Sequence, residues 1–131
     1  MTPIQRIQVT DEWIGEYAQS IDAPIQTFQG KLIAPSTMPI IFWQFFEETS
    51  KQNSSPLLHG SQQFLYKEPI TAGMILDCEL ALVKTEKKSG KSGNLTLFTY
   101  NLTCNCEGRN IVIATTTLIQ VGASHEKIHH C

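Results

Sequence analysis

Apolar and polar residues follow three rhythms along the chain, and each rhythm predicts a different element. Pro3 to Val9 reads as a short strand. Thr10 then offers an N-cap, with Asp11 and Glu12 placed for the first turn of a helix. Trp13, Ile14, Tyr17, Ala18 and Ile21 fall on one face at helical spacing. Val9 and Ile14 flank the cap as a hydrophobic staple. Ala23-Pro24 closes the helix, because the residue before proline resists the helical region. Gly30 to Pro39 reads as a loop. A second helix is expected from Met38 or Pro39 to Thr49, with proline suited to its first turn. Between Ile40 and Phe46 only Gln44 is polar, and a helix apolar nearly all round is a core helix. Glu47, Glu48 and Lys51 mark its wet end, and Lys51 to Pro56 is a turn or short loop.

From Leu57 the rhythm changes to alternation. Ser61 to Lys67 alternates around Phe64 and Tyr66, until Glu68-Pro69 breaks it. Met74 to Lys88 predicts a long strand, and the glycine-rich turn from Lys87 to Asn94 sends the next strand back antiparallel. Leu95 to Cys106 follows. Glu107-Gly108-Arg109-Asn110 is a tight hairpin turn, and Ile111 to Val121 is the last strand, with β-branched Thr115, Thr116 and Thr117. An all-apolar helix must be wrapped on most sides, and a strongly curved antiparallel sheet does that. The expected fold class is α+β: a hot-dog fold, with a curved antiparallel sheet around one central apolar helix.

Composition narrows the function classes. The 131 residues suit one domain, read as 1–123 with a flexible tail over 124–131. A formal net charge of −2 asks for neither nucleic acid nor an anionic membrane as partner. The apolar run from Ile40 to Phe46 is far too short to span a bilayer. Four cysteines occur, Cys78, Cys104, Cys106 and Cys131, with no CxxC pair to suggest a zinc ribbon or thioredoxin site. Cys104 and Cys106 point to one face of a strand, where they read as small core residues. The N-terminus carries no signal peptide pattern, so reduced thiols in the cytoplasm are expected. His125, His129, His130 and Cys131 read as a frayed terminus rather than a metal site, and no metal or cofactor is expected.

Four segments in order carry a family resemblance. Ile33-Ala34-Pro35-Ser36-Thr37-Met38-Pro39 is similar to an IAPPTFP segment that opens a central helix, and Leu58 to Tyr66 is similar to an LHGEQEFEY strand. Glu68 to Met74 is similar to an RPLRAGD turn, and Lys87 to Gly93 to a KKGRSG hairpin. With this order and spacing, the stretch from about Thr10 to Val121 resembles the N-terminal hot-dog domain of the MaoC-like acyl dehydratase family.

The resemblance implies chemistry on acyl thioesters, carried on coenzyme A or acyl carrier protein. Active members hydrate trans-2-enoyl chains reversibly, using an Asp and a His of a GDxNPxH motif. Water must lose a proton as it attacks the β-carbon, and a His near neutral pKa beside a carboxylate serves that step. The thioester oxygen needs N–H donors, which a helix N-terminus near Pro35 to Ile40 supplies. Here the matching stretch reads Ser20-Ile21-Asp22-Ala23-Pro24-Ile25-Gln26. Asp22 aligns with the carboxylate, and Gln26 stands where the His is expected; glutamine orients water but cannot take its proton. His59 is the one other imidazole outside the tail. The resemblance therefore implies a non-catalytic, acyl-accommodating domain, paired as a homodimer or with a catalytic MaoC-like subunit. Pro35, Ser36, Thr37, Phe42 and Trp43 are the substrate-binding candidates, the aromatics lining an acyl tunnel or packing the core. Two alternatives stand beside it: an active hydratase using Asp22 with Gln26 or His59, and a module that senses acyl-CoA.

Overall fold

The computed structural model describes residues 4–46, 57–90 and 93–122. Strand β1 (Ile4–Gln8) leads into helix α1 (Asp11–Ser20), followed by two short strands, β2 (Gln26–Phe28) and β3 (Lys31–Ile33). A 3-10 helix, Met38–Phe45, comes next, and then four long strands: β4 (Leu57–Tyr66), β5 (Ile75–Gly90), β6 (Gly93–Cys106) and β7 (Arg109–Val121). Strands β1-β5-β6-β7-β4 form one antiparallel sheet in that order, and β2-β3 form a separate hairpin. This is the expected hot-dog arrangement, mostly sheet with little helix.

Local chemistry explains the elements. The Trp13 amide donates to Thr10 Oγ1 at 3.1 Å, the capping bond foreseen for α1. Val9 and Ile14 on either side of that cap are both fully buried. The β6–β7 turn places Glu107 and Gly108 at φ 52° and 81°, the doubly positive geometry that matches the twist of a hairpin. Bulges interrupt the ladder at His59/Ser61, Leu82/Lys84 and Cys104/Asn105, and bulges bend and twist strands. At the first of them a Cβ on Gly60 would come within 2.9 Å of Ile119 Cδ1, so a larger residue there would make the Ile119 side chain shift.

One face of the sheet holds the core. Leu76, Cys78 and Leu80 on β5, Tyr100, Leu102 and Cys104 on β6, and Val112, Ala114 and Thr116 on β7 are buried at alternate positions. Met38, Pro39, Phe42 and Phe46 are buried with them. Trp13 of α1 packs on Phe42 and Phe45, with ring centroids 5.5 Å and 5.9 Å apart. Among the described residues no helix is long and apolar enough to cross a membrane.

Two expectations change. The central helix is 3-10 over Met38–Phe45 rather than α-helical, with Met38 N–H bonded to Pro35 O and Ile40 N–H to Thr37 O. Its expected last turn, with the Lys51 to Pro56 turn and the histidine tail, lies outside the described residues. The helix is wrapped on most sides, as expected, with Ile40 and Phe45 keeping 37% and 41% of their surface. The stretch read as a loop from Gly30 carries β3, because Gln29 and Gly30 adopt φ 52° and 80° and turn the chain back on β2.

Replacing Thr10 by Ala removes the cap bond and is expected to cost about 1 kcal/mol. Leu102→Ala hollows the fully buried centre and is expected to cost about 2–5 kcal/mol. Urea denaturation of the two variants beside the parent measures both losses.

Candidate functional site

The loop before the 3-10 helix is held from several directions. Ala34 N–H donates to Ile70 O at 2.8 Å, and Ala72 N–H to Leu32 O at 2.9 Å, clamping β3 to the segment after β4. An isolated bridge joins Ile33 to the buried Thr71. Two tyrosines tie the next residues. The Tyr66 hydroxyl at the end of β4 donates to Ser36 O at 2.7 Å, and the Tyr17 and Thr37 hydroxyls share a hydrogen bond of 2.7 Å. The start of the 3-10 helix is thereby fixed to both α1 and the sheet.

Beside this loop opens a cleft of about 440 Å³. Ile33, Ala34, Pro35 and Ile70 give it an apolar lining, and Gln26, Ser36, Tyr66, Lys67 and Glu68 supply polar groups. Size and lining suit a small ligand with an apolar body and a few polar handles. Arg109 grips Glu68 through two bonds, 2.6 Å and 3.3 Å, and holds its carboxyl below the usual range. Burial pushes the Tyr66 phenol in the opposite direction, well above its ordinary value of 10.0. The cleft therefore offers an ionised, paired carboxylate and a neutral phenol. Proton transfer near neutral pH favours a group titrating there, and neither of these does.

The residues singled out from the sequence separate in space. Gln26, Pro35 and Ser36 line this cleft, and Thr37 follows directly in the chain. Asp22 sits just past α1 in the left-handed region, φ 57°, exposed, on another groove lined by Glu12, Gln19 and Ile25. Asp22 and Gln26 thus line different depressions. His59 is seven residues from Tyr66 along β4, about 20 Å at strand spacing. Its Nε2 lies 3.1 Å from Gln62 Oε1, which also accepts from Thr116 Oγ1 at 2.6 Å. Phe42 is fully buried in the core, and Trp43 packs edge-on against Tyr100, centroids 5.1 Å apart. Among the described residues no cluster of His, Cys, Asp and Glu is placed to hold a metal ion.

Sequence reasoning did not single out Tyr66, Tyr17 or the Glu68–Arg109 pair as site residues. Tyr17 was placed only on the apolar face of α1, and Tyr66 only within a strand segment. Their partners lie 20 and 30 residues away in the chain, beyond the reach of any local pattern.

A family model described as the FAS1-like dehydratase domain region matches residues 2–114. No curated protein matches by sequence. Among solved structures, the C-terminally truncated HadBC (3R-hydroxyacyl-ACP dehydratase) complex from Mycobacterium tuberculosis superposes with a TM-score of 0.75. Identity is 17%, over 90% of this chain and 95% of that one. The ChsH1–ChsH2 complex from the same organism gives 0.69 at 9% identity, over 92% and 83% of the two chains. A MaoC-like dehydratase gives 0.70 at 20% identity, over 95% of this chain and 42% of that one. At such identities the likeness shows a common fold.

Tyr66→Phe tests the pinning of the loop. Loss of the bond to Ser36 O is expected to cost about 1 kcal/mol near neutral pH. The neutral phenol also sets a pH dependence. Its contribution is full below the unfolded value, near pH 10.0, and is lost as pH rises from there towards the higher folded value. Urea midpoints taken from neutral into alkaline pH should therefore fall less steeply in Tyr66→Phe than in the parent. Some decline persists, because burial also raises Tyr100.

Proposed function

The chain belongs to the family of FAS1-like dehydratase domain regions, a MaoC-like hot-dog domain, and from that premise we propose that it serves acyl-thioester hydration and dehydration as a non-catalytic subunit. In this reading it holds and orients the acyl thioester beside a catalytic hot-dog partner, which supplies the Asp and His that move the protons. The observation that carries the reading is the cleft itself. Gln26, which the resemblance aligns with the expected His, lines it, and the titratable pair nearby, Glu68 and Tyr66, is poised away from neutrality in both directions. Asp22 faces another groove, so it does not complete a proton-transfer pair with Gln26.

The free edges of the sheet support a paired assembly. Among the described residues β4 pairs with β7 alone, and its ten residues, Leu-Leu-His-Gly-Ser-Gln-Gln-Phe-Leu-Tyr, include no Lys, Arg, Asp or Glu. Leu58 and Leu65 on it are 55% and 63% exposed. The other long open edge is β5 beyond its pairing with β1. That stretch carries Lys84, Lys87 and Lys88 and the bulge after Leu82, the devices that discourage strand pairing. One edge is guarded and the other is not, so β4 is the seam along which a second hot-dog subunit adds its own strand. Exposed Ile40 and Phe45 give the partner further apolar surface. Two of the similar structures are themselves complexes, HadBC and ChsH1–ChsH2, which favours a heterodimer for this chain; a homodimer through the same edge is the form expected without the partner.

The carrier is coenzyme A or acyl carrier protein, drawn electrostatically by Lys87 and Lys88 near the hairpin tip. The location is the cytoplasm, where the thiols of Cys78, Cys104 and Cys106 stay reduced.

Purified alone, the protein is expected to leave the absorbance of a short trans-2-enoyl-CoA unchanged. Addition of a MaoC-like subunit with an intact Asp/His motif should give turnover that requires both chains. Clear turnover by this chain alone, abolished in Asp22→Asn, would replace the subunit reading with that of an active hydratase. The seam has its own test: Leu65→Lys should raise the dissociation constant of the assembly at least about tenfold in sedimentation experiments, while the monomer stays folded.

A further inference from the structure

Three cysteines stand in the buried core, Cys78 on β5 and Cys104 and Cys106 on β6. Cys78 and Cys104 face each other directly across the ladder. Their sulfurs are 3.2 Å apart, and both residues are fully buried. Opposed residues of an antiparallel pair have Cα atoms roughly 4.5–5.5 Å apart, inside the span a disulfide bridges. The two sulfurs need only a small approach to bond. Cys104 and Cys106 are instead two apart on one strand, roughly 6.6 Å along an extended backbone with side chains pointing in parallel, a poor geometry for a bridge.

We propose that Cys78 and Cys104 form an oxidisable couple, which hydrogen peroxide converts to a cross-strand disulfide. The hydrogen bond to Cys78 and burial raise the Cys104 thiol in the closed core, so it is in a briefly opened ladder that one thiol meets water, loses its proton and attacks a peroxide oxygen through its sulfur. The O–O bond breaks, the leaving oxygen departs as water once protonated, and the sulfur is oxidised to a sulfenic acid. The second sulfur then attacks the first, the S–O bond breaks, and a second water leaves as the S–S bond forms. Two thiols and one peroxide give one disulfide and two waters, with the peroxide taking both electrons. Peroxide is little larger than water, so brief local opening of the ladder admits it. The bond locks β5 to β6 beneath the core and closes the long hairpin between them.

The experiment oxidises the folded full-length protein with hydrogen peroxide, denatures and alkylates it, and maps its peptides by mass spectrometry. The expected product links the Cys78 and Cys104 peptides, is lighter by two hydrogens, and is reversed by dithiothreitol. Cys106→Ser should keep the link. The same oxidation in urea should lose the Cys78–Cys104 preference, since the fold supplies it. The proposal is overturned if Cys78 and Cys104 both remain alkylatable after peroxide has consumed Cys106, or if the folded protein links Cys104 to Cys106 instead.

Discussion

The structure depends on fitting one short apolar helix against the inner face of a curved sheet. Met38, Pro39, Phe42 and Phe46 have almost no exposed surface, and alternate residues of β5, β6 and β7 close over them. Bulges supply the bending that this needs. Apolar burial of this kind stabilises by about 25 cal/mol per Å² removed from water. It also fixes where the loop in front of the helix must run, and hence where the cleft opens.

That loop joins packing to function. Tyr66 holds Ser36 from the sheet, Tyr17 holds Thr37 from α1, and the β3 clamp holds Leu32 and Ala34. Under the proposed function, a loop pinned this way lowers the ordering cost of binding. The solvent-exposed Arg109–Glu68 pair and the desolvated Tyr66 phenol both hold their protonation states near neutral pH. In the proposed reading, such a cleft at the end of a strand edge that carries no Lys, Arg, Asp or Glu suits a binding subunit.

Much of the fold was legible in the chain. Thr10, Val9 and Ile14 announce α1 through cap chemistry, and Glu107-Gly108 announces the last hairpin through its φ requirement. The 3-10 character of the central helix was not legible. A run apolar at nearly every position carries no period, so it cannot separate 3.0 from 3.6 residues per turn. The β2–β3 hairpin was missed because its strands are three residues each, and those of β2 are all exposed, leaving no alternation to read. Pro35, Ser36 and Gln26, singled out through motifs, line one cleft. Asp22 aligned with a family carboxylate yet faces another groove, because the chain turns through the left-handed region there. Helix α1, the β3 clamp and the end of β4 converge only in three dimensions, and no local sequence signal contains that convergence.

The central claim is that the uncharged β4 edge is a pairing seam. Amide hydrogen exchange across β4, in the assembled protein, tests it most directly. Amides of Leu57 to Tyr66 that turn away from β7 should exchange as slowly as those inside the β6–β7 ladder, while the open edge of β5 beyond Leu80 exchanges fast. Fast exchange of the outward amides of β4 in a sample shown to be oligomeric would contradict the account, and would place the subunit contact on another face.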